Sequence, residues 1–544
     1  MGEADVTGAT IGADGDVAWG TEIVRRDAGV PFLGYEPRRR HAADLLLDAR
    51  RWADRVHLVQ DGRRLTFADV DRASARVATG LAEAGLARGD RLLLLAANSP
   101  EWVIAFWAGI RAGALVCLGN AWWGEVDVAH AVDLLEPAVV VCDGSSRGLL
   151  PGGGSAVALD VGTVRAWSED PARDERTRPE PDPEAGEDDP AVAIFTAGTT
   201  GRPKAVVLPH RAIVANVHSL LAVAGRLPHQ IDPSRPGAVV LQSGPLFHVG
   251  GVQSLLLALV GGNRIVFLAG RFDPAEVLDL IEGERVTVWG GVPTMASRVL
   301  AHPSLPERDL SSVRSITMGG SRVDPDLLGR MRAAFPRAGR GMSTIYGMTE
   351  TGGTVASASG DLMAEYPETS GRPGPLTEMR IADPGPDGVG EILVRTPGQM
   401  LGYWRRPDEN LVDDDGWVRT GDLGRLEDGL LFVTGRSKDL IIRGGENIAA
   451  AQVEAALVGH PAVATAAVVG RPDPDLGERV AAAVQLRPGS SATADELKAF
   501  AAERLPRYAV PADWWLGEAD LPATDVGKID KAALRATWPS DGQE

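Results

Sequence analysis

Apolar positions change period repeatedly along the first 150 residues. From Thr66 to Ala84 they recur at three- and four-residue spacing behind a threonine suited to capping a helix, whereas Arg91 to Ala96 is a short apolar run of strand length. A second helical pattern follows, so this part of the chain predicts a layered α/β domain with a parallel sheet. The most membrane-like segment, Trp102 to Trp123, has Arg111 at its middle and is broken by Gly109, Gly113 and Gly119. That interruption predicts a buried helix, a turn and a strand rather than a span.

Between Trp167 and Pro190 the pattern gives way to prolines and acids, a composition that buries little apolar surface and reads as an exposed connector. Ala191 to Phe195 is again a short apolar strand. Near the C-terminus, a helix is predicted from Ala450 to Val458, stopped by Gly459 and Pro461, with strands at Val463 to Val469 and Val480 to Leu486. Thr493 and Glu496 stand in capping-box spacing and open a last helix expected to end at Leu505, before Pro506.

Composition narrows the classes. A chain of 544 residues exceeds what one core usually supports, so at least two domains are expected. Lys and Arg total 55 against 74 Asp and Glu, a net charge of −19, which argues against a nucleic-acid or anionic-membrane surface. Any anionic substrate therefore needs local positive charge. Cys117 and Cys142, the two cysteines, lack metal-ligand spacing and read as core thiols in a reducing cytoplasm. The N-terminus MGEADVTGAT has neither the basic region nor the apolar run of a signal peptide, which also points to the cytoplasm.

The chemistry concentrates at Phe195 to Val206, FTAGTTGRPKAV. Gly198 and Gly201 let a backbone approach an anion closely, Thr196, Thr199 and Thr200 supply hydroxyl donors, and Lys204 supplies a mobile positive charge. The loop reads as a polyphosphate clamp. Its spacing is not that of the Walker loop, because two residues separate the glycines and Arg202 and Pro203 precede the lysine. The preceding strand would place the clamp at a strand end, where α/β sheets hold ligands.

This stretch closely resembles the signature loop of the adenylate-forming superfamily, which includes acyl-CoA synthetases, luciferases and the adenylation domains of peptide synthetases. Ala197 and Ala205 depart from it, standing where serine and glycine are usual. Further stretches match in the family's order from roughly residue 40 to 535, and an ordered set is far more specific than one motif. In PLFHVGG, Pro245 to Gly251, the resemblance implies an aromatic gate to the carboxylate pocket, for which Phe247 and His248 are candidates and His248 the better placed. No aspartate stands there to pair an ammonium, which disfavours α-amino acid substrates. NAWWGEV, Asn120 to Val126, resembles another family segment, with Trp122 and Trp123 expected to serve core packing.

The same resemblance implies an adenine slot at Gly319, Gly320 and Ser321 of ITMGGSR. In TIYGMTET it implies a stacking Tyr346 followed by Gly347 and Met348, a phosphate-contacting Thr349 and a magnesium-binding Glu350; Mg²⁺ is commonly held by one carboxylate together with substrate phosphates and water. Asp422 and Arg436 are implied at the ribose, Lys438 as a hinge, and Gly444 and Gly445 as the lining of a passage for a pantetheine arm. Ala450 and Gln452 replace the usual proline and glutamate, changes expected to affect the helix start more than chemistry. PATDVGKIDK supplies Lys528, implied to reach into the adenylation site.

The fold expectation is therefore α/β, with a large multi-layered N-terminal domain containing parallel sheets over residues 1–434 and a small, mobile C-terminal α/β domain over residues 435–544. The functional expectation is an ATP-dependent ligase of the acyl-CoA synthetase type using ATP, Mg²⁺ and coenzyme A on a small carboxylic acid, acting as a monomer or homodimer. An acyl-AMP ligase that loads a carrier protein, an amine or another nucleophile shares every motif of the first step, and activation of another oxyanion is a further alternative. A non-catalytic nucleotide-binding protein is the reading from a different class. Glu350, Asp422 and Lys528 together argue against it.

Overall fold

The computed structural model describes residues 19–27, 30–152, 156–173, 186–196, 202–321, 323, 325–443, 446–524 and 528–539. Among these, two large sheets form the body of the molecule. The first is seven-stranded, in the order Gly402–Tyr403, Lys204–Pro209, Pro190–Thr196, Leu115–Leu118, Arg91–Leu95, Val139–Cys142 and Val157–Asp160. Its strands from Pro190–Thr196 onward are parallel, and Lys204–Pro209 returns antiparallel. The second is nine-stranded and has a parallel centre at Val56–Gln60, Arg264–Phe267, Val239–Gln242, Val288–Gly291, Ser315–Gly319 and Met342–Met348.

Strand alternation decides which core each residue enters. In the first sheet Leu92, Leu94, Val116, Leu118, Val192, Ile194, Val206 and Leu208 join the main core. Their neighbours Leu93, Leu95, Leu115, Cys117, Ala193, Phe195, Ala205 and Val207 pack on the opposite face. Helices Phe67–Glu83, Pro100–Arg111, His210–Val223 and Val249–Val260 contribute to that main core along with Ile265 and Phe267 of the second sheet. The result is a layered α/β fold.

The apolar stretch around Arg111 becomes helix Pro100–Arg111, a turn with Gly113 at φ 67°, and strand Leu115–Leu118. Arg111 is buried and satisfied: its guanidinium meets the Asp71 carboxylate and donates to Ser74 Oγ at 3.1 Å. Among the described residues no helix is long and apolar enough to cross a membrane. Both cysteines are buried and unbridged, and burial raises their thiol pKa values, Cys142 to about 11.

The described ends of the connector are mostly exposed but are tied to the body, and residues 174–185 lie outside the described residues. Trp167 belongs to helix Val161–Glu169 and lies so close to helix Phe67–Glu83 that a Cβ on Gly80 would fall 2.3 Å from its ring. At the far end, Arg38 binds both oxygens of Glu187 at 2.8 and 2.7 Å, and Arg211 donates to Asp188 at 2.7 Å. Glu187 is thereby drawn partly out of solvent, at 19% side-chain exposure, while Asp188 stays 66% exposed as the composition predicts even though it meets a buried arginine.

A four-stranded antiparallel sheet, Glu378–Ala382, Gly390–Arg395, Val418–Glu427 and Leu430–Arg436, follows the large sheets. Asp428 and Gly429, with φ 50° and 75°, turn its last hairpin. Beyond it, residues 440–517 build a separate five-stranded sheet with apolar clusters on both faces. Helix Ala450–Val458 and the Thr493–Glu496 capping box form where the sequence predicts them, but the last predicted helix runs Ala494–Ala502 and stops three residues early. Ala501 O accepts from both Arg504 and Leu505 amides, closing the final turn irregularly.

Several histidines are packed as neutral rings. His57 is buried between Phe67 and the Asn263 carbonyl, which lies 2.9 Å from its Nδ1. His218 sits between Trp19 and Tyr35 with Nε2 2.8 Å from Gly20 O, and His210 stacks on His41 at 3.6 Å. Burial lowers His57 and His218 to about 4 and, with the His41 charge adding to it, His210 to about 3. The unfolded chain, with ordinary histidines near 6.5, therefore takes up protons that the folded state refuses between about pH 6.5 and 4. Stability should fall on acidification through that window, by about 1.4 kcal/mol per pH unit for each of the three rings. Melting temperatures recorded from pH 7.5 to 5 check this, and His218→Gln should flatten the slope by roughly a third.

Candidate active site

The C-terminal ends of the central strands open onto one cleft. Strand Pro190–Thr196 ends at Thr196; Ala197, Gly198, Thr199, Thr200 and Gly201 of the expected clamp lie outside the described residues, and the chain resumes before Lys204 on the returning strand. The buried Ala205 faces the second apolar cluster, and its carbonyl accepts from Trp404 N at 2.8 Å. Lys204 lies on the other face, in line with Val206. Because Val206 pairs with Tyr403, Lys204 and Tyr403 are diagonal neighbours on one face of the sheet, and the ammonium stands 5.1 Å from the Tyr403 ring centroid.

In the second sheet, strand Ser315–Gly319 ends in Gly320, whose φ of 79° favours glycine, followed by the exposed Ser321. A Cβ on Gly319 would fall 2.5 Å from Ile345 Cγ1, so that position requires close packing against the next strand. The next strand, Met342–Met348, carries Tyr346, Gly347 and Met348, and the short 3₁₀ turn Thr349–Thr351 carries Thr349 and Glu350. Thr351 Oγ1 accepts from Met348 N at 3.2 Å, fixing this turn, and Gln253 ties the following strand Gly353–Ser359 to the helix after His248 by accepting from Thr354 Oγ1 at 3.0 Å.

Asp422 lies within strand Val418–Glu427, not in the turn that follows. Only 7% exposed, it accepts from Tyr346 Oη at 2.8 Å and from Arg436 Nε at 2.9 Å. Burial first, then the Asp422 charge, raises the Tyr346 hydroxyl well above its ordinary value, so it stays a donor. Glu350, 8% exposed, accepts from Tyr403 Oη at 2.9 Å, and desolvation raises its pKa. A buried carboxylate held by a neutral phenol and without an ion-pair partner among the described residues is suited to a cation. Among the described residues no group of three or more His, Cys, Asp or Glu gathers as a multidentate metal centre.

Two groups reach this cleft from elsewhere. His248 precedes helix Val249–Val260, on a loop held by Asn98, which donates to Gly244 O at 2.9 Å and accepts from Leu246 N at 2.8 Å. Phe247 turns into the main core against the edge of Trp122, while His248 Nε2 is buried without a hydrogen-bond partner among the described residues. Trp122 and Trp123 are half-buried and pack on Phe247 and Phe195. Lys528 arrives from the C-terminal segment: a Cβ placed on Gly320 would lie 3.1 Å from its Cε and 3.4 Å from its Nζ. The residue as a whole is exposed, yet desolvation of the ammonium, with Arg436 nearby, lowers its pKa against the opposing pull of Asp422. Burial, with the Lys528 charge adding to it, lowers His248 to about 4, so the imidazole is neutral.

The structure thus brings Thr196, Lys204, His248, Gly319, Gly320, Tyr346, Glu350, Asp422, Arg436 and Lys528 to the strand ends or their margins. Lys438 lies in the short turn Ser437–Asp439 between the four-stranded and five-stranded sheets, while Gly444 and Gly445 lie outside the described residues. Ala450 is buried at the first position of its helix and Gln452 is exposed. Sequence reasoning missed Asn98, Tyr403, Arg406 and Glu409. Tyr403 carried one usable signal, since the chain has five tyrosines and this one sits beside a glycine and a tryptophan in GYW.

Residues 46–404 match the family described as AMP-binding enzyme, and residues 452–528 match the AMP-binding enzyme C-terminal domain. A feruloyl-CoA synthase of an Amycolatopsis species is 34% identical over 485 residues, covering 87% of this chain and 94% of that protein. The ATP-bound structure of MatB from Rhodopseudomonas palustris is similar at a TM-score of 0.80 and 27% identity, covering 91% of this chain and 99% of that one. The amide bond synthetase McbA of Marinactinospora thermotolerans is similar at a TM-score of 0.76 and 30% identity, covering 91% and 100%.

The contact between Gly320 and Lys528 is directly testable. Gly320→Ala forces a Cβ into a positive-φ position and against the lysine stem, at an expected cost of about 1 kcal/mol or more. Displacing the ammonium should also raise the His248 titration midpoint from about 4, read from the imidazole resonances by NMR. An unchanged midpoint would show that the two side chains do not sense each other.

Proposed function

The chain belongs to the AMP-binding enzyme family of adenylate-forming ligases, and from that premise we propose how its residues divide the work of an acyl-CoA synthetase. The enzyme is an AMP-forming ligase. A carboxylate oxygen attacks the α-phosphorus of ATP, the bond from that phosphorus to the bridging oxygen of the β-phosphate breaks, and pyrophosphate leaves. The thiolate sulfur of coenzyme A then attacks the acyl carbon and the bond to AMP oxygen breaks, giving the thioester.

The observation that carries this reading is the convergence on one cleft of Lys528, His248 and the Tyr346–Asp422–Arg436 cluster, drawn from three parts of the chain. Asp422, backed by Arg436, accepts from the ribose hydroxyls; Gly319, Gly320, Ser321 and the Tyr346 ring receive the adenine. Thr196 and Lys204, with the glycines and threonines of residues 197–201, hold the departing phosphates, and Thr349 with Gly347 and Met348 borders them. Lys528 offsets the charge gained as the carboxylate attacks, and neutral His248 borders the carboxylate with its unpartnered nitrogen. Glu350 would hold Mg²⁺, which when bound neutralises phosphate charge.

The division of labour also assigns domains. Residues 1–434 bind ATP and acid, while residues 435–544 rotate about Lys438 between the two steps, withdrawing Lys528 and presenting Gly444 and Gly445 to the pantetheine arm. The likeness to an amide bond synthetase supports one competing acceptor, an amine. A panel of acids scored by pyrophosphate release, followed by coenzyme A, a carrier protein and amines as acceptors, identifies both partners of the reaction.

Lys528→Ala should lower pyrophosphate release by at least about a hundredfold while chemically made acyl adenylate is still converted by coenzyme A. Lys438→Pro, which fixes φ and deletes an amide, should do the reverse and spare the first step. Equal loss of both steps in either folded variant would overturn its assignment. Glu350→Gln should raise the Mg²⁺ concentration needed for half-maximal adenylation, and an unchanged Mg²⁺ titration would remove Glu350 from the metal.

A further inference from the structure

The phosphate lysine already has an anion. Lys204 is only 11% exposed at its side chain and is ion-paired with Glu409, which stands on the short turn Pro407–Glu409 immediately after the edge strand Gly402–Tyr403. Arg406 Nη1 binds the other carboxylate oxygen of Glu409 at 2.8 Å. The ammonium faces the Tyr403 ring, whose hydroxyl donates to Glu350 at 2.9 Å. One carboxylate is thus clasped by two cations, and a single tyrosine touches both the lysine and the buried Glu350. Lys204 and Arg406 hold the Glu409 carboxyl below the usual carboxylate range, so it is ionised at neutral pH.

We infer that Glu409 is a built-in phosphate surrogate: in the empty site it holds Lys204, and an entering polyphosphate must displace it from that ammonium. The inference rests on the assignment of Lys204 to the pyrophosphate of ATP. A carboxylate and a phosphate compete for the same donors, and a buried lysine without either is costly. Glu409 is 36% exposed at its side chain and sits on a short turn, so it is free to swing toward water when the phosphates arrive. Tyr403 is a positioning residue that keeps Lys204 and Glu350 in register during the exchange. The same competition works in the other direction, because Glu409 returning to Lys204 assists the departure of pyrophosphate after adenylation.

The experiment uses the full chain and calorimetric titration with inorganic pyrophosphate plus Mg²⁺, and separately with AMP. AMP lacks the β- and γ-phosphates and serves as the reference. Glu409→Gln keeps the shape of the side chain but removes its charge, and should tighten pyrophosphate binding about two- to fivefold, the scale of a partly exposed ion pair, with AMP binding unchanged. In turnover, pyrophosphate should become a correspondingly stronger product inhibitor. Lys204→Ala separates the two levels of the argument: it should weaken pyrophosphate binding, and if it does not, the phosphate assignment of Lys204 itself fails. If Lys204→Ala weakens pyrophosphate binding but Glu409→Gln leaves it unchanged or weaker, the surrogate role alone is overturned. Equal changes toward AMP and pyrophosphate in folded Glu409→Gln would overturn it too, since a general disturbance of the site does not distinguish the two ligands.

Discussion

The buried carboxylate of Asp422 is the constraint around which the cleft is arranged. An ion 7% exposed must find donors within the protein, and it finds them in Tyr346 on the nine-stranded sheet and Arg436 at the end of its own hairpin. Thr420 completes the setting by accepting from the Asp422 amide at 3.1 Å while donating to Ile392 O at 2.7 Å. One charge therefore joins two sheets that share no strands. Arg436 is also the last residue before the turn that leads into the five-stranded sheet, so this cluster fixes where the C-terminal module departs.

The same accounting explains the rest of the cleft. Among the described residues Glu350 is buried with a phenol donor but no ion-pair partner, and His248 has a buried nitrogen without a hydrogen-bond partner. Lys528 stands among protein atoms that lower its pKa, in a slot left open by the absent side chain of Gly320. Elsewhere in the molecule comparable charges are closed off: Arg111 meets Asp71 and Ser74, and Arg38 grips Glu187. Groups left without a full set of partners beside the strand ends retain capacity for a ligand.

Legibility in the sequence followed the range of the interactions. Helix Phe67–Glu83 with its Thr66–Asp69 capping box, helix Ala450–Val458 and the strands around them depend on neighbours within a few residues, and the pattern reveals them. The glycine-rich turn at Gly319–Gly320 and the TIYGMTET segment stood out through the family resemblance, which short ordered motifs carry. At the acidic connector, composition could not report that Arg38 lies 149 positions before Glu187 and yet touches it. The last helix ended early because its final carbonyl accepted from two irregularly placed amides, a choice made locally by geometry rather than by the proline four residues on.

By itself the sequence determined the α/β alternation and the order of the motifs that carry the family resemblance, because those depend on side-chain type and short spacing. Only the tertiary structure decided that Tyr403 stands between Lys204 and Glu350, that Glu409 pairs with that lysine, and that Lys528 meets Gly320 208 positions away in sequence. Tyr403 reaches Lys204 through strand register, since Val206 pairs with Tyr403, and Lys528 reaches Gly320 through the docking of one module against another. Register and docking are set by the total apolar surface buried and by charges that must find partners, sums over the whole chain that no local stretch contains.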